Sequence, residues 1–257
     1  MRVLEDEQGA ALVRVRQASK TALTLTVEGA CGRRFVPVVQ RMLGTEVELR
    51  SWYRHVKAIP WLDRLARDLR GVKPPRYPTL WEALCHAIVF QQISIHAAAA
   101  IMQRTIVAFG SPVEHLHGER LYPFPQPHRI AGASQDALRA SGLSVNKVAA
   151  LQHVARAVLD GTVEDAQIAG LSTPEAIAKL CELRGIGPWS AAVVLLRGLG
   201  RLDVFPLKDS GVAASLRLLS GNPEVEAGAV LLELGAQRGM LYFHLLLGRL
   251  AATARVL

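Results

Sequence analysis

The chain has 257 residues, half of them hydrophobic and 20% charged, with 30 Lys and Arg against 22 Asp and Glu for a net charge of +8. That hydrophobic share excludes an intrinsically disordered chain and is enough for one or two closely packed domains with a sizeable core. The basic sequence pI of about 9.9 makes a polyanion, nucleic acid first, an expected partner; an arginine excess that merely solubilises is the alternative.

In chain order, ALVRVR (11–16) alternates Ala11, Val13 and Val15 against Leu12, Arg14 and Arg16. ALTLTV (22–27) alternates Leu23, Leu25 and Val27 against threonines. Both predict β-strands, with the five residues between them as a hairpin loop. RFVPVVQRML (34–43) predicts a short helix with Pro37 near its start, where proline is tolerated. The proline-rich GVKPPRYP (71–78) is the best linker candidate and divides the chain into residues 1–72 and 73–257.

Beyond it the patterns are helical. Thr79 and Glu82 form a capping-box pair at the start of a long helical region that runs to Gly110, broken near FQQIS (90–94). Residues 111–129 are turn-rich. SQDALRA (134–140) is a short helix closed by Gly142. Ser144 caps a helix whose Val145, Val148, Leu151, Val154 and Val158 recur at helical spacing until Gly161. STPEAIAKLCEL (172–183) carries Pro174 in its first turn. A loop through GLGRLDVFPLKDSG (198–211) leads to helices that reach the C-terminus.

Cys31, Cys85 and Cys181 are too widely spaced for a metal cluster, and an odd count argues against a disulfide framework and for a reducing compartment. The opening MRVLEDEQGA lacks the apolar core of a signal peptide. The C-terminal apolar stretch is cut by Arg238, His244 and Arg249, too short for a membrane span. A cytoplasmic, nucleoid-associated protein without a membrane partner is the expectation.

The segment LRGIGPWSAA (183–192) joins two helices through a glycine turn. Gly185 and Gly187 admit backbone angles and close approaches denied to other residues. Pro188 in the first turn of the second helix sacrifices no hydrogen bond. The free N–H groups there can hold a phosphate regardless of base sequence; an ordinary tight turn between helices is the alternative.

LRGIGPWSAAVVLLRGLGRLDVFPLKDSG (183–211), with its hairpin, its arginine–glycine helix end and an aspartate about twenty residues past the hairpin, resembles the helix-hairpin-helix DNA glycosylase superfamily. The bacterial 3-methyladenine DNA glycosylase II branch is the most similar. YPTLWEALCHAIVFQQIS (77–94) and ASGLSVNKVAALQHVARAV (140–158) are similar to earlier family segments, and the resemblance runs from about residue 35 to the end. It implies a mainly α fold of two helical segments around a cleft, with the helix-hairpin-helix at about 176–199 and a small N-terminal α/β domain over 1–72.

The same resemblance implies a monofunctional glycosylase of base excision repair. It would flip an alkylated base of the 3-methyladenine or 7-methylguanine type out of double-stranded DNA and hydrolyse its glycosidic bond. Asp209 falls where the family's catalytic aspartate falls; its other role is to cap the helix that follows. Asp203 is the rival carboxylate, read as structural. Trp189 is placed in the base pocket, or at its simplest in the core, with Tyr242 and Phe243 adding aromatic wall. Leu246 and Leu247 replace aromatics of relatives. Gln92, with Gln91 beside it, is expected to fill the gap left by the flipped base. Gly185, Ile186, Gly187 and Pro188 of the hairpin are expected to bind phosphate, helped by Lys208. A monovalent cation on the carbonyls of Leu183 and Gly185 is a further implication; no organic cofactor or side-chain metal site is implied. The chain is expected to act as a monomer.

Two other functions fit parts of the same sequence. One is a helix-hairpin-helix module that binds DNA without chemistry. The other is a bifunctional glycosylase/lyase for oxidised bases, in which a lysine attacks the sugar. That lysine stands in relatives where Trp189 stands here, and Lys208 does not match it.

Overall fold

Three antiparallel strands open the chain: β1 (Arg2–Asp6), β2 (Gly9–Gln17) and β3 (Leu23–Glu28), in that order across the sheet. The computed structural model describes residues 1–29, 32–114, 119–207 and 209–254, without the side chains of Ser210, Thr253 and Ala254. Cys31 and Lys208 therefore lie outside the described residues. The alternation predicted for β2 and β3 pairs Val13 with Val27 and Val15 with Leu25. These residues pack with Leu4, Ala11, Phe35 and Val39 into a small core. β1 was not predicted. Its adjacent Val3 and Leu4 are both buried, so the sheet is covered on both faces there and the period-2 signal disappears.

The helix α1 (Val36–Leu43) carries Pro37 in its first turn and ends at Gly44 with φ 61°. Two short helices follow that the sequence did not announce, α2 (Arg50–His55) and α3 (Pro60–Asp68). Their buried Trp52, Leu62 and Ala66, with Val56 between the two helices, join the large helical core. The Trp52 indole donates to His244 Nε2 at 3.2 Å, 192 residues away.

After the proline-rich connector, Thr79 caps α4 (Leu80–Val89) by accepting from the Glu82 N–H at 3.1 Å. Every residue of α4 is buried except His86. A helix that is apolar nearly all round belongs in the centre of a core, and His86, its one half-buried residue, is packed against aromatic rings. Ser94 caps α5 (Ile95–Phe109). A minimal two-strand ladder, β4 (Val113–Glu114) with β5 (Arg120–Leu121), precedes α6 (Pro127–Ala131) and α7 (Gln135–Ala140). Ser144 caps α8 (Val145–Leu159) as its sequence predicts. Then come α9 (Asp165–Gly170), which the sequence did not announce, and the predicted α10 (Thr173–Cys181), opened by a Ser172–Glu175 capping box with Pro174 in its first turn. The chain closes with α11 (Pro188–Val194), α12 (Ser210–Ser220), α13 (Ala227–Leu234) and α14 (Arg238–Ala254).

The fold is thus mainly helical with a small sheet at its N-terminus. The sheet is tied to the helices by an ion pair from Arg2 to the buried Glu82 and by Gln126 Nε2 donating to the Glu5 carbonyl at 3.3 Å. No helix among the described residues is long and apolar enough to cross a membrane.

Candidate active site

The turn between α10 and α11 is pegged by Leu183 and Ile186, both buried, while Arg184, Gly185, Gly187 and Pro188 face outward. Gly185 has φ 85°, and a Cβ there would stand 2.5 Å from Ala150 Cβ on α8. Only glycine meets both conditions. At Gly187 nothing lies within 4 Å of an added Cβ, so the backbone there is open to a large neighbour. The Leu183 carbonyl accepts from the Ile186 N–H at 3.0 Å and the Gly185 carbonyl from Gln91 Nε2 at 2.8 Å. A cation on these oxygens would share them with those donors.

Asp209 stands at the N-terminal cap of α12. Its Oδ1 accepts from the Val212 N–H at 3.0 Å, and its Oδ2 accepts from Trp189 Nε1 at 3.1 Å. The half-buried Trp189, second residue of α11, therefore latches the hairpin helix to the carboxylate. Asp203 is occupied elsewhere: its Oδ2 accepts from Thr173 Oγ1 at 2.6 Å at the start of α10, a structural contact.

Tyr242, on α14, is within electrostatic reach of Asp209, Arg197 and Tyr77. Burial first, then the Asp209 charge, push its hydroxyl up to about 12, against the pull of Arg197, so it stays a neutral phenol. The Phe205 ring meets it edge-on at 6.5 Å and the Phe243 ring at 5.7 Å. Phe243 is only 3% exposed and packs on the core side of Tyr242. Leu246, half-buried, packs against the same core.

The turn between α4 and α5 separates its two glutamines. Gln92 has φ 57°, the one non-glycine residue at positive φ among the described residues, and its side chain is exposed. A left-handed conformation there costs about 1–2 kcal/mol, and strain of this kind gathers at functional turns. Gln91 turns the other way. Its Nε2 donates to the Gly185 carbonyl and to Ser190 Oγ at 2.7 Å, which ties the end of α4 to the hairpin and leaves Gln92 alone at the apex. Lys147 Nζ bonds the carbonyls of Val89 and Gln91 at 2.7 and 2.9 Å; burial lowers its pKa.

Sequence reasoning passed over Tyr77, His86 and Arg197. The Tyr77 ring stacks on His86 with centroids 4.3 Å apart, and the Arg197 guanidinium carbon lies 4.6 Å over Tyr77. Phe90 and Phe124 close around His86 at 5.4 and 5.9 Å. The available signals were a histidine in a helix whose other polar residue is Glu82, and a charge inside LLRGL.

Residues 85–234 match the family model described as HhH-GPD superfamily base excision DNA repair protein. The chain belongs to this family. Among curated members it is 30% identical over 184 residues to the DNA-3-methyladenine glycosylase of Bacillus subtilis (strain 168), covering 72% of this chain and 60% of that protein. It is 35% identical over 150 residues to DNA-3-methyladenine glycosylase 2 of Escherichia coli (strain K12), covering 56% and 50%. The HhH-GPD chain therefore spans half to three-fifths of these relatives' length. For the fold, a solved 3-methyladenine DNA glycosylase from Archaeoglobus fulgidus superposes with a TM-score of 0.81 at 24% identity, over 95% of this chain and 84% of the other. That superposition extends the family fold into the N-terminal sheet, which the family match leaves out.

Proposed function

We propose that this HhH-GPD chain is a monofunctional DNA glycosylase that hydrolyses the glycosidic bond of alkylated bases, of the 3-methyladenine and 7-methylguanine type, flipped out of duplex DNA. The observation that carries this proposal is the Asp209 carboxylate held by two donors at the start of α12, next to the hairpin and within electrostatic reach of Tyr242. Loss of a base leaves cationic character on the sugar, as in glycoside hydrolysis generally. A fixed carboxylate stabilises that charge and orients the attacking water. Bases alkylated at N3 or N7 of a purine already carry a positive charge, so they depart with little acid assistance and one carboxylate suffices.

The other residues take compatible parts. Trp189 fixes the carboxylate and offers its ring face to the base pocket, whose wall Tyr242 continues. Gln92 projects where a side chain could occupy the space of the extruded nucleotide. The exposed backbone at Gly185, Gly187 and Pro188 suits a phosphate, with Ile186 as the anchor beneath it and Lys208 as a candidate contact. No step depends on a metal. The missing lysine at position 189 supports hydrolysis over strand-cleaving chemistry. Double-stranded DNA in the cytoplasm or nucleoid would be the partner.

Incubation with methylated duplex DNA tests this. Free alkylated base should appear, with strand breaks only after alkali. DNA binding without release would point to a non-catalytic module; cleavage without alkali, together with a borohydride-trapped adduct, would point to the lyase.

A further inference from the structure

The hydrolysis as proposed leaves Gln91 without a part, although its side chain bridges two elements of the site. Its Nε2 donates to the Gly185 carbonyl at 2.8 Å and to Ser190 Oγ at 2.7 Å. A backbone carbonyl only accepts, so the amide stands one way round. Ser190, 2% exposed in the first turn of α11, adjoins Trp189, whose indole holds Asp209. On the main chain, the Gln91 carbonyl accepts from Lys147 Nζ at 2.9 Å, and the same ammonium takes the Val89 carbonyl at 2.7 Å. Lys147 lies on α8 three residues before Ala150, and residues so spaced share a helix face. Ala150 is the residue whose Cβ leaves no room for a side chain at Gly185. The end of α4, the first turns of α8 and the hairpin therefore meet around Gln91.

The next residue needs such support. Gln92 stands at φ 57°, and a left-handed conformation persists only where the surroundings over-determine it. Its exposed side chain does little to fix its own backbone. The anchors lie on either side. Gln91 is pinned to the hairpin and to α8, and Ser94 caps α5 by accepting from the Ala97 N–H at 3.2 Å. Gln92 is held out between them, and its place relative to the hairpin is set through the Gln91 amide.

We propose, resting on the reading of Gln92 as the side chain that fills the gap in the duplex, that Gln91 is the positioning residue for that insertion. It does not enter the DNA itself. Its amide registers the gap-filling turn against the hairpin and against the helix that carries Trp189. The side chain that takes the vacated space and the carboxylate that meets the sugar are thereby set in one frame. Loss of the amide frees the turn to relax from its left-handed conformation, and Gln92 then no longer points where the gap is.

The test is the affinity of wild type, Gln91→Met, Ser190→Ala, Gln92→Gly and the Gln91→Met, Gln92→Gly double variant for two duplexes. One carries a tetrahydrofuran abasic-site analogue, which presents a ready-made gap; the other is the same duplex without it. The quantity read is the ratio of the two affinities within one preparation. Phosphate contacts contribute to both duplexes and gap filling only to the first, so a misfolded fraction does not move the ratio. Methionine keeps the length of glutamine without its donor, and the loss of both side-chain hydrogen bonds should lower the preference for the gapped duplex about 10-fold. Ser190→Ala, which leaves one acceptor, should lower it less. Gln92→Gly should lower it at least as far as Gln91→Met, and the double variant no further than Gln92→Gly. An unchanged ratio in Gln91→Met beside a lowered one in Gln92→Gly would overturn the proposal and keep Gln92 as the gap filler; so would losses that add in the double variant. A ratio that Gln92→Gly leaves unchanged would remove the gap-filling reading and this proposal together, while the glycosylase assignment stands or falls on base release.

Discussion

The Trp189 indole donates to Asp209 Oδ2 at 3.1 Å while the Val212 N–H holds Oδ1 at 3.0 Å. One contact joins α11 to α12 across 20 residues of chain, and the other is a helix cap. Between them the carboxylate has one orientation, which is what a group stabilising a short-lived cation requires.

The indole bond makes Trp189 more than a stacking surface. Trp189→Phe keeps an aromatic face but removes the donor, and a hydrogen bond to a charged acceptor is worth about 1.5–3 kcal/mol. Single-turnover base release should fall roughly 10- to 100-fold, with a smaller change in affinity for lesion DNA. A Phe variant as fast as wild type would reduce Trp189 to a shelf.

Gln92 carries strain that glycine would not. Gln92→Gly should leave the melting temperature at or above that of wild type, because relief of about 1–2 kcal/mol at φ 57° offsets the entropy glycine loses on folding. Gln92→Val, β-branched at positive φ, should melt lower. If the side chain fills the gap in the duplex, Gln92→Gly also slows base release. A stable glycine variant with full activity would deny Gln92 that role.

Gly185 is constrained twice. In Gly185→Ala the new methyl meets Ala150 Cβ at 2.5 Å, on a backbone at φ 85°. Overpacking costs about 1–3 kcal/mol and the left-handed conformation about 1–2 more, so a clear drop in melting temperature is expected. Adding Ala150→Gly should recover the steric part and leave the backbone part. Complete recovery would mean that backbone strain contributes nothing.

His244 makes stability depend on pH. The Trp52 indole can only donate, so His244 Nε2 accepts and Nδ1 carries the proton toward the Met240 carbonyl at 2.9 Å. Burial holds the His244 pKa below the ordinary 6.5, against the Met240 hydrogen bond; burial also lowers that of His86, against Glu82. Below about 6.5 the unfolded chain binds protons that the folded chain refuses. This stability is therefore complete above that pH and is lost as pH falls toward the folded-state values. Thermal melts from about pH 8 to about pH 5 should show the decline, and His244→Gln should show a shallower one. Parallel curves would remove His244 from the account.

Local signals carried most of the helical fold. Thr79, Ser144 and Pro174 each mark a helix start by a mechanism that acts within one turn, and α8 shows its buried stripe directly. What escaped depends on distant partners. β1 is buried on both faces, so alternation could not announce it. α2 and α3 are too short for periodicity to build up, and they gain their place by packing Trp52 and Leu62 into the large core. Asp209 and the hairpin were singled out by a family resemblance that one short segment carries. The Trp189–Asp209 bond was not, since spacing fixes no side-chain direction. Gln91 and Gln92 are neighbours in sequence, yet the positive φ at Gln92 sends their side chains to different ends. Arg197 entered the sequence reading only as part of the arginine–glycine helix end, and its place over Tyr77 depends on a ring 120 residues away.

The most direct test of the central claim is single-turnover release of 7-methylguanine by wild type and by Asp209→Asn, each checked for binding to the same duplex. Asparagine keeps the shape and the helix cap but not the charge. Release at least about 100-fold slower with binding retained is the predicted result; release at the wild-type rate would contradict the assignment of Asp209 as the catalytic group.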